Sequence, residues 1–147
     1  DNIMLLQPTS PFRNITSLIE AKKAFEMKYD NDEVSSFHLD SLISIEEVPE
    51  KYNPAQMMYI DSGLLKMVDG KEVDKRIKRR QDFEKAYMPT GSIYCMKRSL
   101  LLRDKPTIYG ENVGCIIEKP MININTAEDW QKAEDYINNE EDYWNQG

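Results

Sequence analysis

The feature that most constrains the fold is a short apolar run that ends in a stiff polar loop. Residues 3–6 (IMLL) are apolar throughout, and a run without polar alternation predicts a central strand covered on both faces. Pro8 and Pro11 follow and keep the next residues extended rather than helical. An amphipathic helix is expected after them, with Asn14 or Thr16 as its N-cap. The chain therefore opens with a strand, a rigid loop and a helix.

Strand and helix patterns alternate along the rest of the chain. Further strands are expected at residues 41–45, 92–96 and 113–117, a short helix or turn at 99–103, a hairpin at 57–68 and a last helix from Thr126. This order favours an open α/β sheet with an inserted β element. We expect residues 1–147 to form a single α/β domain, with residues 57–75 inserted in it.

Composition excludes several classes of function. The chain has 147 residues and a net charge of -7, which argues against general binding of nucleic acid or anionic membrane. No apolar run approaches the roughly 18 residues that span a bilayer. Cys95 and Cys115 both lie in apolar, strand-like runs, a usage that suits a reducing cytoplasm better than a disulfide framework.

The first loop is the first candidate site. In an open α/β sheet, ligands bind beyond the carboxyl ends of the strands, and Gln7 directly follows the first strand pattern. Its amide can both donate and accept, which suits the edge of a base or a sugar. Alternatively, the loop is a turn whose polar groups only cap the following helix.

A basic cluster is the second candidate. Seven Lys and Arg side chains lie between Lys71 and Lys85 in an otherwise acidic chain. Arg80, next to Gln81, offers a guanidinium fork suited to a carboxylate or phosphate. The cluster would attract a small anion, or it is simply a solvated charged face.

Two further segments carry candidate ligand contacts. Gly91 would let the backbone approach a ligand closely, and Tyr94 offers a ring with a polar tip, although a core tyrosine would give the same pattern. Asn123 and Asn125 share one face just before a helix, where they are either metal-site positions or a turn that caps that helix. His38 is the single histidine, and without a second ligand or a nucleophile it is more often structural.

The order of these segments resembles that of one enzyme family. Residues 5–13 (LLQPTSPFR) resemble the LLQPTSPLR signature of the acylneuraminate cytidylyltransferases. Residues 79–82 (RRQD), followed by residues 89–94 (PTGSIY), resemble the family's RRQD and NG(A/S)(I/F)Y segments. Residues 122–130 (ININTAEDW) resemble its closing DIDTxEDW segment. The QPTSP form is more similar to the sialate branch than to the enzymes that activate keto-deoxyoctonate.

The resemblance implies a Rossmann-like, open mixed sheet of the nucleotide-diphospho-sugar transferase type. It implies an enzyme that couples CTP to an acidic nonulosonic sugar with Mg²⁺ and releases pyrophosphate, the anomeric hydroxyl attacking the α-phosphate. It also implies a homodimer in which the hairpin region helps form the contact. The residues that it assigns to the sugar pocket are Gln7, Arg80, Gln81, Thr90 and Tyr94.

The chain departs from the family pattern at several positions. The two metal-binding aspartates correspond to Asn123 and Asn125, and the loss of two charges should weaken Mg²⁺ binding severely. Thr90 replaces the asparagine that usually precedes the glycine. A lysine usual in the loop around residues 53–55 has Gln56 as its nearest counterpart. Sugars of the legionaminic or pseudaminic type therefore stay open beside neuraminate.

Two functions follow as alternatives. The first is a cytidylyltransferase; the second is a non-catalytic relative that binds a nucleotide or sugar acid at a degenerate metal site. The family's glycine-rich, basic nucleotide motif is not found in this sequence, and the strand pattern begins at Ile3 without an initiator Met. We therefore expect a C-terminal portion of a cytidylyltransferase domain that is inactive alone. A nucleic-acid binder using the basic cluster is disfavoured by the overall charge.

Overall fold

The computed structural model describes residues 1–26, 39–75 and 83–139. Within these ranges the strands are β1 (Asn2–Leu6), β2 (Ser41–Glu47), β3 (Met58–Asp61), β4 (Leu64–Met67), β5 (Tyr87–Lys97) and β6 (Val113–Ile117). The helices are α1 (Ile15–Glu26), α2 (Arg98–Leu101) and α3 (Ala127–Asn139), and two 3₁₀ turns cover Glu50–Tyr52 and Val73–Lys75. No helix among the described residues is long and apolar enough to cross a membrane.

The chain divides into two compact units. The first comprises Asp1–Ile45 and Pro89–Gly147, and the second comprises Glu46–Met88. The second unit contains the hairpin and extends beyond residues 57–75, the bounds that the sequence predicts for the inserted element.

A mixed four-stranded sheet forms the first unit, in the order β1-β5-β2-β6. β1 pairs antiparallel with β5, and β2 pairs parallel with β6. Lys97 of β5 lies opposite Asp40 and Ile93 lies opposite Ser44, so β5 is also antiparallel to β2. The carboxyl ends of β1, β2 and β6 therefore meet at one edge of the sheet. The predicted α/β class with an open mixed sheet is confirmed.

β1 lies at the edge of this sheet and not at its centre. Among the described residues it pairs only with β5. Met4, Leu5 and Leu6 are 38%, 42% and 39% exposed. The expectation of a central, doubly covered strand is therefore wrong, because an apolar run indicates what a strand can bury but does not specify its neighbours.

β5 begins earlier than the sequence predicts, at Tyr87 instead of Ser92. Pro89 and Gly91 look like loop residues, yet both lie within the strand. Gly91 has a φ of +76°, so the strand bends there in a conformation that favours glycine.

The core covers both faces of β5. Ile93 and Cys95 point to one face and pack with Leu42 and with Ala21 of α1. On the opposite face, a second cluster joins Tyr94, Met96 and Leu100. This alternation follows from the two-residue period of a strand.

The two cysteines are both free but differ in environment. Burial, with a smaller contribution from Glu26, raises the pKa of the Cys95 thiol to about 11, whereas Cys115 is exposed. Because the thiolate is the reactive form, Cys115 should react with a disulfide reagent at pH 8 and Cys95 should react only after unfolding. Titration of thiols in native and denatured protein tests this, with C115S as the control; rapid native labelling of C115S would contradict it.

The predicted hairpin is confirmed in the second unit. β3 and β4 pair antiparallel, with Asp61 opposite Leu64. Ser62 and Gly63 form the two-residue turn with φ values of +52° and +79°, as a tight hairpin requires. Several of its large apolar side chains are exposed by half or more: Tyr59, Ile60, Leu64 and Leu65.

Candidate functional site

Polar residues from three separate parts of the sequence converge at the carboxyl edge of the sheet. Gln7 directly follows β1, and Glu118 directly follows β6. Thr90 and Gly91 belong to the amino-terminal half of β5, which reaches the same edge because β5 runs antiparallel to its neighbours. This is the edge at which open α/β sheets bind ligands.

Gly91 lies between the side-chain amides of Gln7 and Asn123. A methyl group built on its Cα would lie 3.0 Å from Oε1 of Gln7 and 3.6 Å from Nδ2 of Asn123. The structure thus brings together Gln7, Thr90 and Asn123, which the sequence predicts as site residues from three different motifs. The close approach that was expected between the Gly91 backbone and a ligand is made here by the Gln7 side chain.

The first loop is fastened to the segment before α3. The hydroxyl of Ser10, which is buried, donates to Oδ1 of Asn123 at 3.2 Å. The backbone N–H of Ile124 donates to the carbonyl of Thr9 at 2.7 Å. The cap of α1 comes instead from Asn14, whose Oδ1 accepts from the N–H of Thr16 at 2.7 Å. The Ser10 side chain thus fastens this loop to Asn123 and does not cap α1, so helix capping does not account for the polar groups of the loop.

A chain of hydrogen bonds runs inward from Thr90. The N–H of Ile93 donates to Oγ of Ser44 at 2.9 Å, and Oγ of Ser44 lies 2.6 Å from Oγ1 of Thr90. The Thr90 hydroxyl donates to Oε2 of Glu118 at 3.0 Å. Each hydroxyl donates only once, so the Ser44 hydroxyl is assigned as donor to Thr90. All of these bonds then point toward the carboxylate, which polarises the chain.

Glu118 is an unexpected member of the site. It is only 6% exposed, although its sequence position gives no sign of burial apart from its place at the end of a strand. Oε2 is bonded to Thr90, and Oε1 has no hydrogen-bond partner among the described residues; the same holds for the buried Oγ of Ser92. Buried polar atoms are seldom left unpaired, so these two atoms indicate a part of the structure that has a role besides core packing.

Arg13 is the second residue that sequence reasoning missed. Its Nε donates to the carbonyl of Ser92 at 2.9 Å, and its Nη2 donates to the carbonyl of Gln7. Burial lowers the pKa of the Arg13 guanidinium, and the nearby charge of Glu118 opposes that shift. The available signal was its place at the end of the LLQPTSPFR stretch, which was interpreted only as part of a resemblance.

Tyr94 lies in the core, only 8% exposed, packed with Met96 and Leu100. Burial, followed by the influence of Tyr109, raises the pKa of its hydroxyl. This placement is that of a core tyrosine, the alternative that the sequence left open.

The basic cluster is only partly described. Arg80 and Gln81, like His38, lie outside the described residues. The three lysines of the cluster that are described each face a carboxylate: Lys71 pairs with Asp69 at 3.2 Å, Lys75 with Glu72 at 2.8 Å, and Lys85 with Glu47 at 2.7 Å. These lysines are therefore less available to attract an anion than the sequence suggests.

Asn125 belongs to the start of α3. Its N–H and that of Thr126 donate to Oδ2 of Asp129 at 3.2 and 3.0 Å, and the N–H of Asp129 returns a bond to Oγ1 of Thr126 at 3.2 Å. These reciprocal bonds form a capping box at the start of α3. The Thr126 hydroxyl, followed by the Asn125 N–H, lowers the pKa of Asp129, so the carboxylate stays charged and keeps the cap in place at neutral pH.

The residues present do not fit the magnesium site that the resemblance implies. Mg²⁺ prefers carboxylate oxygens, but residues 123 and 125 supply neutral amides, and Oδ1 of Asn123 already accepts from Ser10. Across residues 1–26, 39–75 and 83–139, no group of three or more His, Cys, Asp and Glu side chains is placed to hold a metal ion.

Comparison with known proteins supplies no family. No protein-family model and no curated protein matches the chain. The chemistry must therefore be inferred from the residues themselves. The Gln7 amide and Nδ2 of Asn123 offer neutral hydrogen-bonding groups on either side of Gly91, which suit a ligand with several hydroxyl groups.

Proposed function

We propose that this chain provides the sugar side of a cytidylyltransferase site, which couples CTP to a sialic-acid-like nonulosonic acid and releases pyrophosphate. The observation that carries the proposal is the convergence of Gln7, Gly91 and Asn123 at the carboxyl edge of the sheet. These residues come from the three stretches that resemble family motifs, and they are far apart in sequence. The mixed sheet agrees with the Rossmann-like transferase fold that we propose for the domain.

The proposed ligand contacts divide into two groups. Gln7 would meet the hydroxyl and amide groups of the sugar, with Thr90 beside it held by its bonds to Ser44 and Glu118, and Arg80 with Gln81 would meet its carboxylate. Asn123 and Asn125 carry neutral amides that do not fit a metal, and Oδ1 of Asn123 already accepts from Ser10.

Turnover tests the proposal directly. The protein from the complete open reading frame is incubated with CTP and, in separate reactions, with neuraminic, legionaminic and pseudaminic acids, and pyrophosphate release is measured. The 147-residue chain is assayed in parallel. Release that depends on one of the acids is the expected result. Absence of pyrophosphate release with every acid would reject the proposed cytidylyltransferase activity, even if the chain binds one of the acids.

A second candidate function is binding without turnover, and the contact between Ser10 and Asn123 favours it, because it occupies an oxygen that a metal would need. If residues 123 and 125 occupy a degenerate metal site, the N123D/N125D variant should bind Mg²⁺ at least tenfold more tightly than the original protein, since two carboxylates replace two amides. Calorimetric titration with MgCl₂ measures this. N138D/N139D, at the end of α3, adds the same charge elsewhere and is the control. Equal affinity of all three proteins would show that these positions are not a metal site.

The hairpin supports a homodimer as part of the proposal. Ile60 and Leu64 are 75% and 67% exposed on paired strands, an arrangement that suits burial against a second copy. The I60E/L64E variant should sediment as a monomer at concentrations where the original chain is a dimer. I15E changes another exposed apolar residue, on α1, and should leave the dimer intact; dissociation by I15E alone would argue for a different interface.

A further inference from the structure

Arg13 links the residue that follows β1 to β5, next to the contact between Gln7 and Gly91. One arm of its guanidinium donates to the carbonyl of Gln7, and Nε donates to the carbonyl of Ser92, the residue after Gly91, at 2.9 Å. We propose that Arg13 is the positioning residue that sets Gln7 for the acidic sugar, with Glu118 as its buried counter-charge. The inference rests on the proposed function, because it takes Gln7 as a sugar contact.

The geometry requires an arginine. Only a planar guanidinium presents several donors in fixed directions, so that one side chain can hold two carbonyls at once. A lysine at position 13 would keep the charge, but its ammonium would have to reach both oxygens from a single point. The Gln7 carbonyl directly follows β1 and the Ser92 carbonyl belongs to β5, so loss of the fork lets the end of β1 shift relative to β5.

Glu118 completes the arrangement electrostatically. A half-buried guanidinium loses hydration, and burial indeed lowers the pKa of Arg13, while the Glu118 carboxylate counteracts the shift. Glu118 is itself fixed through Oε2 by the Thr90 hydroxyl at 3.0 Å. The negative charge of Glu118 thus opposes the effect of burial on Arg13 from inside the protein.

Gln7 is held by its backbone while its side chain stays available. Its carbonyl accepts from Arg13 and also from the N–H of Ser10 at 3.2 Å. Its side-chain amide makes no hydrogen bond within the described part of the chain, although Oε1 lies against Gly91. A fixed backbone with a free amide is what a preorganised ligand contact requires.

The test uses two variants. R13K keeps the positive charge at position 13 but loses the guanidinium fork, and E118Q keeps the side-chain shape at position 118 but loses its negative charge. R98Q is the matched control, because Arg98 is exposed and pairs with Asp1 at 3.8 Å away from the site. Calorimetry measures the binding of N-acetylneuraminic acid to each 147-residue protein. NMR of the glutamine side-chain amides, without ligand, follows Gln7, with Gln131 of α3 as the internal reference.

We expect R13K to bind the sugar acid about tenfold more weakly, the loss of roughly one charge-assisted hydrogen bond, and E118Q about threefold more weakly; R98Q should bind like the original chain. The Gln7 amide signals should move in R13K and E118Q while those of Gln131 stay. Unchanged binding by R13K with unmoved Gln7 signals would overturn the proposal. If R13K does not fold, E118Q decides by the same two measurements.

Failure of the proposed function gives a different result. If the original chain does not bind the sugar acid and the open reading frame product shows no turnover, the sugar assignment is wrong. The NMR comparison in the absence of ligand then still decides the role of Arg13: unmoved Gln7 signals in both variants reject it as a positioning residue, and displaced signals support it.

Discussion

Replacement of Gly91 by alanine is expected to abolish most of the sugar-acid binding that we propose, while it costs about 1–2 kcal/mol of folding stability. The stability cost arises because Gly91 has a φ of +76°, a conformation that is strained by about this amount for a residue with a Cβ. The binding loss arises because the new methyl group would lie 3.0 Å from Oε1 of Gln7. The Gln7 amide is the flexible end of its side chain, so it can move aside, but it then leaves the site.

Gly63 provides a matched control for G91A. Its φ is +79°, and a methyl group built on it would meet nothing within 4 Å. G63A should therefore show a similar loss of stability in urea denaturation, whereas the affinity for N-acetylneuraminic acid should fall at least tenfold only in G91A. Equal affinities in the two variants would mean that the position of Gln7 does not matter for binding.

Replacement of Thr90 by valine is expected to cost about 3 kcal/mol of folding stability. Valine has nearly the shape of threonine, but it cannot donate to Oε2 of Glu118, which is bonded to Thr90 at 3.0 Å. A buried carboxylate that loses its donor costs more than an ordinary lost hydrogen bond. The N–H of Ser92, 3.3 Å from the same hydroxyl, loses its acceptor as well.

Serine at position 90 isolates the hydroxyl from the packing. T90S keeps the donor and loses only a methyl group, which costs about 1 kcal/mol in a partly buried site. Chemical denaturation of T90V and T90S measures the difference between them. A T90V variant as stable as T90S would show that the chain of hydrogen bonds from Ser44 to Glu118 contributes little to stability.

The fold could be predicted from the sequence where local chemistry decides it. The N-cap at Asn14, the hairpin at residues 57–68, the last helix from Thr126 and the strand at residues 113–117 each follow from neighbouring residues, and each is confirmed. The edge position of β1 could not be predicted in this way, because it depends on pairing with β5, which lies far along the chain.

The site divides in the same manner. Gln7, Thr90 and Asn123 were recognisable because each stands at the end of a local pattern or in a motif. Arg13 and Glu118 were not, since their roles depend on carbonyls and hydroxyls contributed by distant strands. In the sequence, a charged residue at the end of a strand is expected to be exposed, and its burial becomes apparent only when the residues packed around it are known.

The exposed edge of β1 affects how this protein associates in solution. Among the described residues, one side of β1 has no neighbouring strand, and Met4, Leu5 and Leu6 are over a third exposed. Such an edge can accept a strand from another molecule. Concentrated samples can therefore associate edge to edge, in addition to the dimer that we propose for the hairpin. A light-scattering series across concentrations would separate a stoichiometric dimer from the open-ended growth that an unprotected strand promotes.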